Sequence, residues 1–319
     1  MSRPITIDPA WFAPDAAPEG TREHAQALIA QAKAAPDIWA LGPAAVRERR
    51  KQGFTAFVIE PKSAKAETLT IDGPAGPIAL RVIAPERPTA VYLHLHSGGW
   101  TLGSNDQDDP RLERLADELG FACLSVEYRL APEHPYPAGP DDCEAAALWV
   151  AREGRRRFGA ERLLIGGESA GAHLSVVTLL RLRDRHGLAP FAAANLTAGS
   201  YDLGLTPSAR RATEKFVLNG RDIRMFAANY LQNGEDLGDP DVSPLYADLA
   251  GLPPAIFTVG TRDPLIDDTL FMAARWVAAG NEAELSAWPG SGHVHTSLPE
   301  PNAAPAFERI MEFLRGRSG

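Results

Sequence analysis

The sequence predicts an α/β protein with a mostly parallel central sheet covered by helices on both faces. Three observations predict it. From about Val91 onward, apolar strand-like runs alternate with helical runs, the pattern of βαβ units whose parallel strands are buried on both sides. The chain has 319 residues, 45% hydrophobic and 23% charged, an ordinary globular balance long enough to bury a large core without disulfides or metals. Finally, Gly167-Glu168-Ser169-Ala170-Gly171 matches G-x-S-x-G between an expected strand and an expected helix, the setting of a nucleophile elbow.

Residues 1–55 read as helical. Ala25, Leu28, Ile29 and Ala32 recur at helical spacing until Pro36, and Pro43 opens a second helix that ends before Gly53. Residues 69–72 and 78–83 read as strands either side of the turn-rich 73–77, and 91–96 as an apolar strand. Asp109-Pro110 caps a helix carrying Leu112, Leu115, Ala116 and Leu119 on one face, with Gly120 as its stop. Strands follow at 121–128, 162–165, 191–196, 255–259 and 283–288. Helices are expected after Pro140 and at 170–186, 264–279 and 304–315. Residues 202–249 break the rhythm and read as an insertion beside the sheet.

The chain carries 32 Lys and Arg against 41 Asp and Glu, a net charge of −9. Nucleic-acid and anionic-membrane binders need clustered cations, so neither is an expected partner; the balance suits a protein acting on small molecules. Cys123 and Cys143 lie in apolar settings and read as reduced core residues. The N-terminus has no apolar signal core and no run is long enough to span a membrane, so the expectation is a soluble cytoplasmic protein without a membrane anchor.

A serine in an elbow needs a base to take its proton, a carboxylate to orient that base, and donors for the oxyanion. His96-Ser97-Gly98-Gly99-Trp100 ends an apolar strand, and its glycines leave backbone N–H groups unshielded, so Gly98 and Gly99 are candidate oxyanion donors. Asp263 falls just past the carboxyl end of strand 255–259, where open α/β sheets place their sites. It is the candidate acid, whereas Asp267 and Asp268 fall inside the next helix and read as solvated or capping. His293 and His295 both lie after Ser169 with room for an acid between, in the glycine-rich 289–295 loop; spacing alone leaves the base open between them.

These motifs, with Tyr128-Arg129-Leu130-Ala131-Pro132-Glu133, Gly251-Leu252-Pro253-Pro254 and Asp263-Pro264-Leu265, make the chain resemble the hormone-sensitive-lipase-like branch of the α/β-hydrolase esterases over roughly residues 85–315. The resemblance implies an α/β-hydrolase fold with a helical cap, Ser169 as nucleophile, Asp263 as acid and His293 as base. It implies oxyanion donors at Gly98, Gly99 and Ala170, with Ser97 standing where the family usually has a glycine. The cap would be assembled from residues 1–55 and 202–249, over a catalytic domain of 56–201 and 250–319. Relatives often dimerise through an edge strand, which makes a homodimer possible by analogy.

Other residues have quieter readings. His96 organises the oxyanion loop by hydrogen bonding, with Ser97 beside it. Tyr128, Arg129 and Glu133 brace a loop near the elbow. Glu168 is either support for the catalytic loops or solvated, and Trp100 either lines the pocket entrance or packs in the core. The reading that follows is a serine carboxylesterase without a cofactor, acting on small-molecule esters with short- to medium-chain acyl groups. Its rivals are an amidase or carbamate hydrolase on the same residues, a small-molecule receptor without turnover, and a metal-dependent hydrolase built on His94, His96, His293 and His295.

Overall fold

The computed structural model describes residues 5–52 and 61–318. The expected helix over 43–52 lies within them, whereas residues 1–4 and 53–60, which include the end of the expected N-terminal cap piece, lie outside. Eight strands run as β1 Glu67–Gly73, β2 Gly76–Ile83, β3 Ala90–Leu95, β4 Phe121–Val126, β5 Arg162–Glu168, β6 Phe191–Thr197, β7 Ala255–Gly260 and β8 Ala283–Trp288. The helices are α1 Glu19–Ala34, α2 Ile38–Leu41, α3 Pro43–Lys51, α4 Asp109–Leu119, α5 Ala138–Trp149, α6 Arg155–Phe158, α7 Ala170–His186, α8 Pro207–Arg211, α9 Gly220–Tyr230, α10 Ile266–Ala278 and α11 Ala303–Arg315.

The strands form one sheet in the order β1-β2-β4-β3-β5-β6-β7-β8. β1 and β2 form an antiparallel hairpin, and β2 pairs antiparallel with β4; every pairing from β4 to β8 is parallel. The alternation of side chains along each strand explains the two-sided core. Leu93, Leu163, Ile165 and Phe257 face a cluster shared with α5, α7 and α10. Their neighbours Tyr92, Leu164 and Ile256 face a second cluster shared with α4 and α11. Both faces being covered, β3, β4 and β7 are buried along their whole length, and their sequences read as continuous apolar runs.

Two local expectations change. Asp109 does not cap α4: its carboxylate is fully buried, accepts from Arg81 Nε at 2.7 Å and from Ser63 N at 2.8 Å, and so ties α4 to β2. Residues 202–249 are not uniformly peripheral either. α8 and the start of α9 gather around Leu205, Ala209, Leu218 and Ile223, whereas Tyr230 at the end of α9 and Leu245, Ala247 and Leu249 join the main core beside α7 and α10. Cys123 and Cys143 are free and buried. Among the described residues no helix is long and apolar enough to cross a membrane.

Candidate active site

β5 delivers Ser169 at its carboxyl end, and α7 starts at the next residue. The turn between them is so tight that Ser169 adopts φ 55°, ψ −118°, a strained conformation for a residue with a side chain. Close packing makes this turn possible. A Cβ on Gly167 or Gly171 would stand 2.3 or 1.9 Å from Leu95 O, so only glycine lets β3 lie against the elbow. Ser169 N donates to Thr197 O on β6 at 2.9 Å, which pins the turn from its other side.

β7 delivers Asp263, and the loop after β8 delivers His293. His293 Nε2 lies 2.9 Å from Ser169 Oγ, and its Nδ1 lies 3.1 and 3.0 Å from the two carboxylate oxygens of Asp263. Asp263 also accepts from Leu265 N at 2.8 Å, which fixes its rotamer. The structure therefore brings together Ser169, His293 and Asp263, and separates His295 from them. Val294 takes a left-handed φ of 49°, so the two histidines leave the loop in different directions. His295 is fully buried near Trp288, where burial pushes its imidazole pKa down to about 4.

The 96–100 loop packs beside the elbow. Its left-handed residues are Gly98 (φ 127°), Gly99 (φ 59°) and Trp100 (φ 57°), and Ser97 is not among them. Serine in place of glycine at 97 is therefore compatible with the turn. Gly98, Gly99, Ser169 and His293 line one cavity of about 110 Å³. Ala170, as the first residue of α7, has an N–H without an intrahelical acceptor. His96 stacks on Tyr128, with ring centres 4.1 Å apart. Its Nδ1–H donates to Ser97 O at 2.8 Å, while the Tyr128 hydroxyl donates to His96 O at 2.8 Å. Burial holds the His96 pKa at about 4, so the ring stays neutral and keeps that tautomer. Arg129 grips Asp142, and Glu133 pairs with Arg47 of α3.

Trp100 both lines the cavity and packs in the core. Its indole stacks on Tyr230, and its Nε1–H donates to His173 Nδ1 at 3.1 Å. Glu168 is buried rather than solvated. It pairs with Arg111 and accepts from Thr296 Oγ1 at 2.9 Å and Ser297 Oγ at 3.1 Å, tying the elbow to the loop that carries His293. Arg111 also pairs with Asp108, which accepts from His94 Nε2 at 2.8 Å. His94 and His96 thus serve different partners, and among the described residues no three His, Cys, Asp or Glu side chains are grouped to hold a metal ion.

Asp268 corrects the sequence reading. It is fully buried, accepting from Tyr201 N at 2.7 Å, Asp202 N at 3.0 Å and Thr206 Oγ1 at 2.6 Å. Burial pushes its pKa up to about 7. It joins the start of α10, just after Asp263, to the 201–206 segment. The only sequence signal for Asp268 and Arg111 was a charge at an apolar helix position, and His173 had only its place one helical turn after Ser169.

The sequence profile of the α/β-hydrolase fold matches residues 92–297, a span that contains Ser169, Asp263 and His293. The chain belongs to the α/β-hydrolase family. It is 36% identical over 233 residues to the carboxylic ester hydrolase LipN of Mycobacterium tuberculosis, covering 68% of this chain and 60% of that protein. It is 37% identical over 243 residues to the carboxylesterase NlhH of the same organism, covering 73% of this chain and 75% of that one. A hormone-sensitive lipase from a metagenome library superposes with a TM-score of 0.81 at 28% identity, over 95% of this chain and all of that one (100%). These likenesses place the chain in the hormone-sensitive-lipase-like branch of α/β-hydrolases.

Proposed function

We propose that the protein is a serine carboxylesterase. The observation that carries the reading is the 2.9 Å approach of His293 Nε2 to Ser169 Oγ, with Nδ1 turned to Asp263. In this reading Ser169 Oγ attacks the ester carbonyl while His293 takes its proton. Asp263 holds the imidazole in the Nδ1–H tautomer and stabilises the imidazolium. The N–H groups of Gly98, Gly99 and Ala170 receive the oxyanion, whose charge develops at the N-terminus of α7. His293 then protonates the departing alcohol, and water cleaves the acyl-enzyme with the same groups acting again. His96, Ser97 and Tyr128 hold the oxyanion loop, and Glu168 holds the elbow against the histidine loop.

The residues in hand supply a nucleophile, a base and an oxyanion site, so the chemistry asks for no cofactor. The small cavity supports short- to medium-chain acyl esters. Residues 1–55 and 202–249 act as a cap in this reading. Trp39 of α2 packs edge-on against Phe226 of α9 at 4.7 Å, and its Nε1 donates to Asp222 at 2.7 Å, clamping the two pieces together beside the cavity.

An organophosphonate ester should label Ser169 covalently, read by peptide mass. Ser169→Ala should remove the label and lower p-nitrophenyl acetate turnover by about 10⁶-fold, as loss of a serine nucleophile does elsewhere. Wild-type turnover by that variant would end the proposal.

A further inference from the structure

Three loops meet at the candidate site, and each is tied to one short stretch at the start of α4. Glu168, the residue before Ser169, is buried on the elbow. One of its oxygens pairs with Arg111 and accepts from Thr296 Oγ1 at 2.9 Å. The other accepts from Ser297 Oγ at 3.1 Å, on the loop that carries His293. Arg111 Nη1 also donates to Thr296 Oγ1 at 3.3 Å. Arg111 Nη2 pairs with Asp108, a second buried carboxylate, which accepts from His94 Nε2 at 2.8 Å. Gln107, next to Asp108, donates from Nε2 to Ser97 Oγ at 2.9 Å, on the loop that carries Gly98 and Gly99.

The anchor is itself held. Asp109 accepts from Arg81 Nε at 2.7 Å and from Ser63 N at 2.8 Å, and Arg114 Nη2 donates to Glu308 of α11 at 2.6 Å. Arg111 therefore stands between fixed neighbours, with its side chain only 16% exposed. A guanidinium holds its donors in a rigid planar fork. Glu168 on one nitrogen and Asp108 on the other thus set the distance and angle between the elbow and the start of α4. Such a buried triad is a poor source of stability: desolvating three charges offsets much of their attraction, and apolar side chains of like volume often serve as well. What an apolar replacement lacks is direction. A nucleophile and a base 2.9 Å apart on separate loops depend on direction.

We propose that Arg111 is a positioning residue for the reaction: by bridging Glu168 and Asp108 it holds the nucleophile elbow and the His293 loop in register with the 96–100 loop. The inference rests on the esterase reading of Ser169 and adds to it a residue that touches neither substrate nor the reacting atoms.

The test follows p-nitrophenyl butyrate hydrolysis by the full chain. Arg111→Met keeps the length of the side chain and removes the fork. It should lower kcat by about tenfold or more and change KM by less than about threefold, since misplaced reacting groups cost most in the transition state. Arg111→Lys keeps the charge but cannot hold two carboxylates at a fixed angle, so its kcat should fall by about threefold or more and lie between the Met variant and wild type. Arg111→Met combined with Glu168→Gln should lose about as much kcat as the worse single variant, because both changes cut one link. Wild-type kcat in folded Arg111→Met, a loss carried wholly by KM, or single losses that multiply in the double variant each overturn the inference. Should Arg111→Met not fold, Arg111→Lys decides, and wild-type kcat in that variant overturns it as well. Any of these results beside an active wild-type protein leaves the esterase reading standing. A wild-type protein with neither turnover nor phosphonate labelling removes that reading and the inference with it.

Discussion

Trp100 hangs from His173. The indole Nε1–H donates to His173 Nδ1 at 3.1 Å, and His173 Nε2–H donates in turn to Val242 O at 2.9 Å. The bond matters because Trp100 follows Gly99 directly and itself sits at φ 57°, a conformation that costs an ordinary residue of the order of 1–3 kcal/mol. His173 lies on the first turns of α7, so it ties the 96–100 loop to the helix that begins just after Ser169. Replacing His173 by Leu keeps the volume and removes the acceptor. The expected result is a fall of about tenfold or more in kcat with KM little changed, because the oxyanion donors proposed for this loop would act mainly in the transition state. His173→Gln, which can still accept, should recover part of kcat. A loss confined to thermal stability would reduce His173 to packing.

Ser97 and Gly98 should respond to substitution in opposite ways. A Cβ on Gly98 would stand 2.0 Å from Leu102 O, and Gly98 takes φ 127°, so Gly98→Ala forces the loop apart. If Gly98 is the oxyanion donor proposed above, the change should lower kcat/KM for p-nitrophenyl butyrate by about 10²-fold or more. Ser97→Gly asks for no new conformation. It removes only the hydroxyl that accepts from Gln107 Nε2 at 2.9 Å, and activity should stay within about threefold of wild type, the loss of one hydrogen bond. Equal losses in the two variants would contradict this account of the loop.

Acid should destabilise the fold in a defined window. His96, His173 and His295 are buried and neutral, with pKa values held at about 4 against an ordinary 6.5. On unfolding between those two pH values they take up protons, so their contribution is fully present above pH 6.5 and is lost as pH falls toward 4. Asp268 works against them. Its folded pKa of about 7 lies above the ordinary 3.8, so its contribution is complete at low pH and is lost as pH rises through 7. Three protons gained against one released leaves a net slope of the order of 3 kcal/mol per pH unit near pH 5. Urea unfolding at steps from pH 5 to 8 should show stability rising with pH to about 6.5. Asp268→Asn should steepen that rise at every pH up to about 7, because it removes a group that releases a proton on unfolding. A stability independent of pH below 6.5 would contradict the neutral, buried assignment of the histidines.

All eight strands among the described residues were legible in the sequence because strand burial leaves a local record: apolar runs such as 91–95 and 121–126, punctuated by Gly120 and Gly187 at helix ends. Ser169 and Asp263 were legible as candidates for a similar reason, since each marks the end of a strand at one edge of the sheet. The choice between His293 and His295 was not available from spacing, because both share one loop and a single left-handed residue, Val294, decides where each points. Contacts such as Trp39 to Asp222 and Glu168 to Thr296 join residues 183 and 128 positions apart, and no local pattern records them. Asp268 was misread for the same reason: its partners lie on another segment, and the burial that makes it special is a property of the assembled fold.

Phe226 should set the upper limit on acyl length. A Cβ on Gly99 would stand 2.3 Å from its Cδ1, so the ring lies flush against Gly99, backed edge-on by Trp39. It also lines the cavity that holds Ser169. A ring in that position blocks extension of the cavity toward α2, and it is only half-buried, so removing it opens space to solvent rather than leaving a sealed void. Phe226→Ala should therefore cost less than the roughly 3–5 kcal/mol of a fully buried Phe→Ala change. Its effect belongs in specificity: each added methylene that gains burial is worth about 0.8 kcal/mol, so the octanoate-to-butyrate ratio of kcat/KM should rise by about tenfold or more. Phe226→Leu should fall between the two, because it restores part of the wall. A p-nitrophenyl ester series from acetate to decanoate reads the shift directly. An unchanged profile in a folded Phe226→Ala variant would mean that acyl chains leave the site by another face of the cavity.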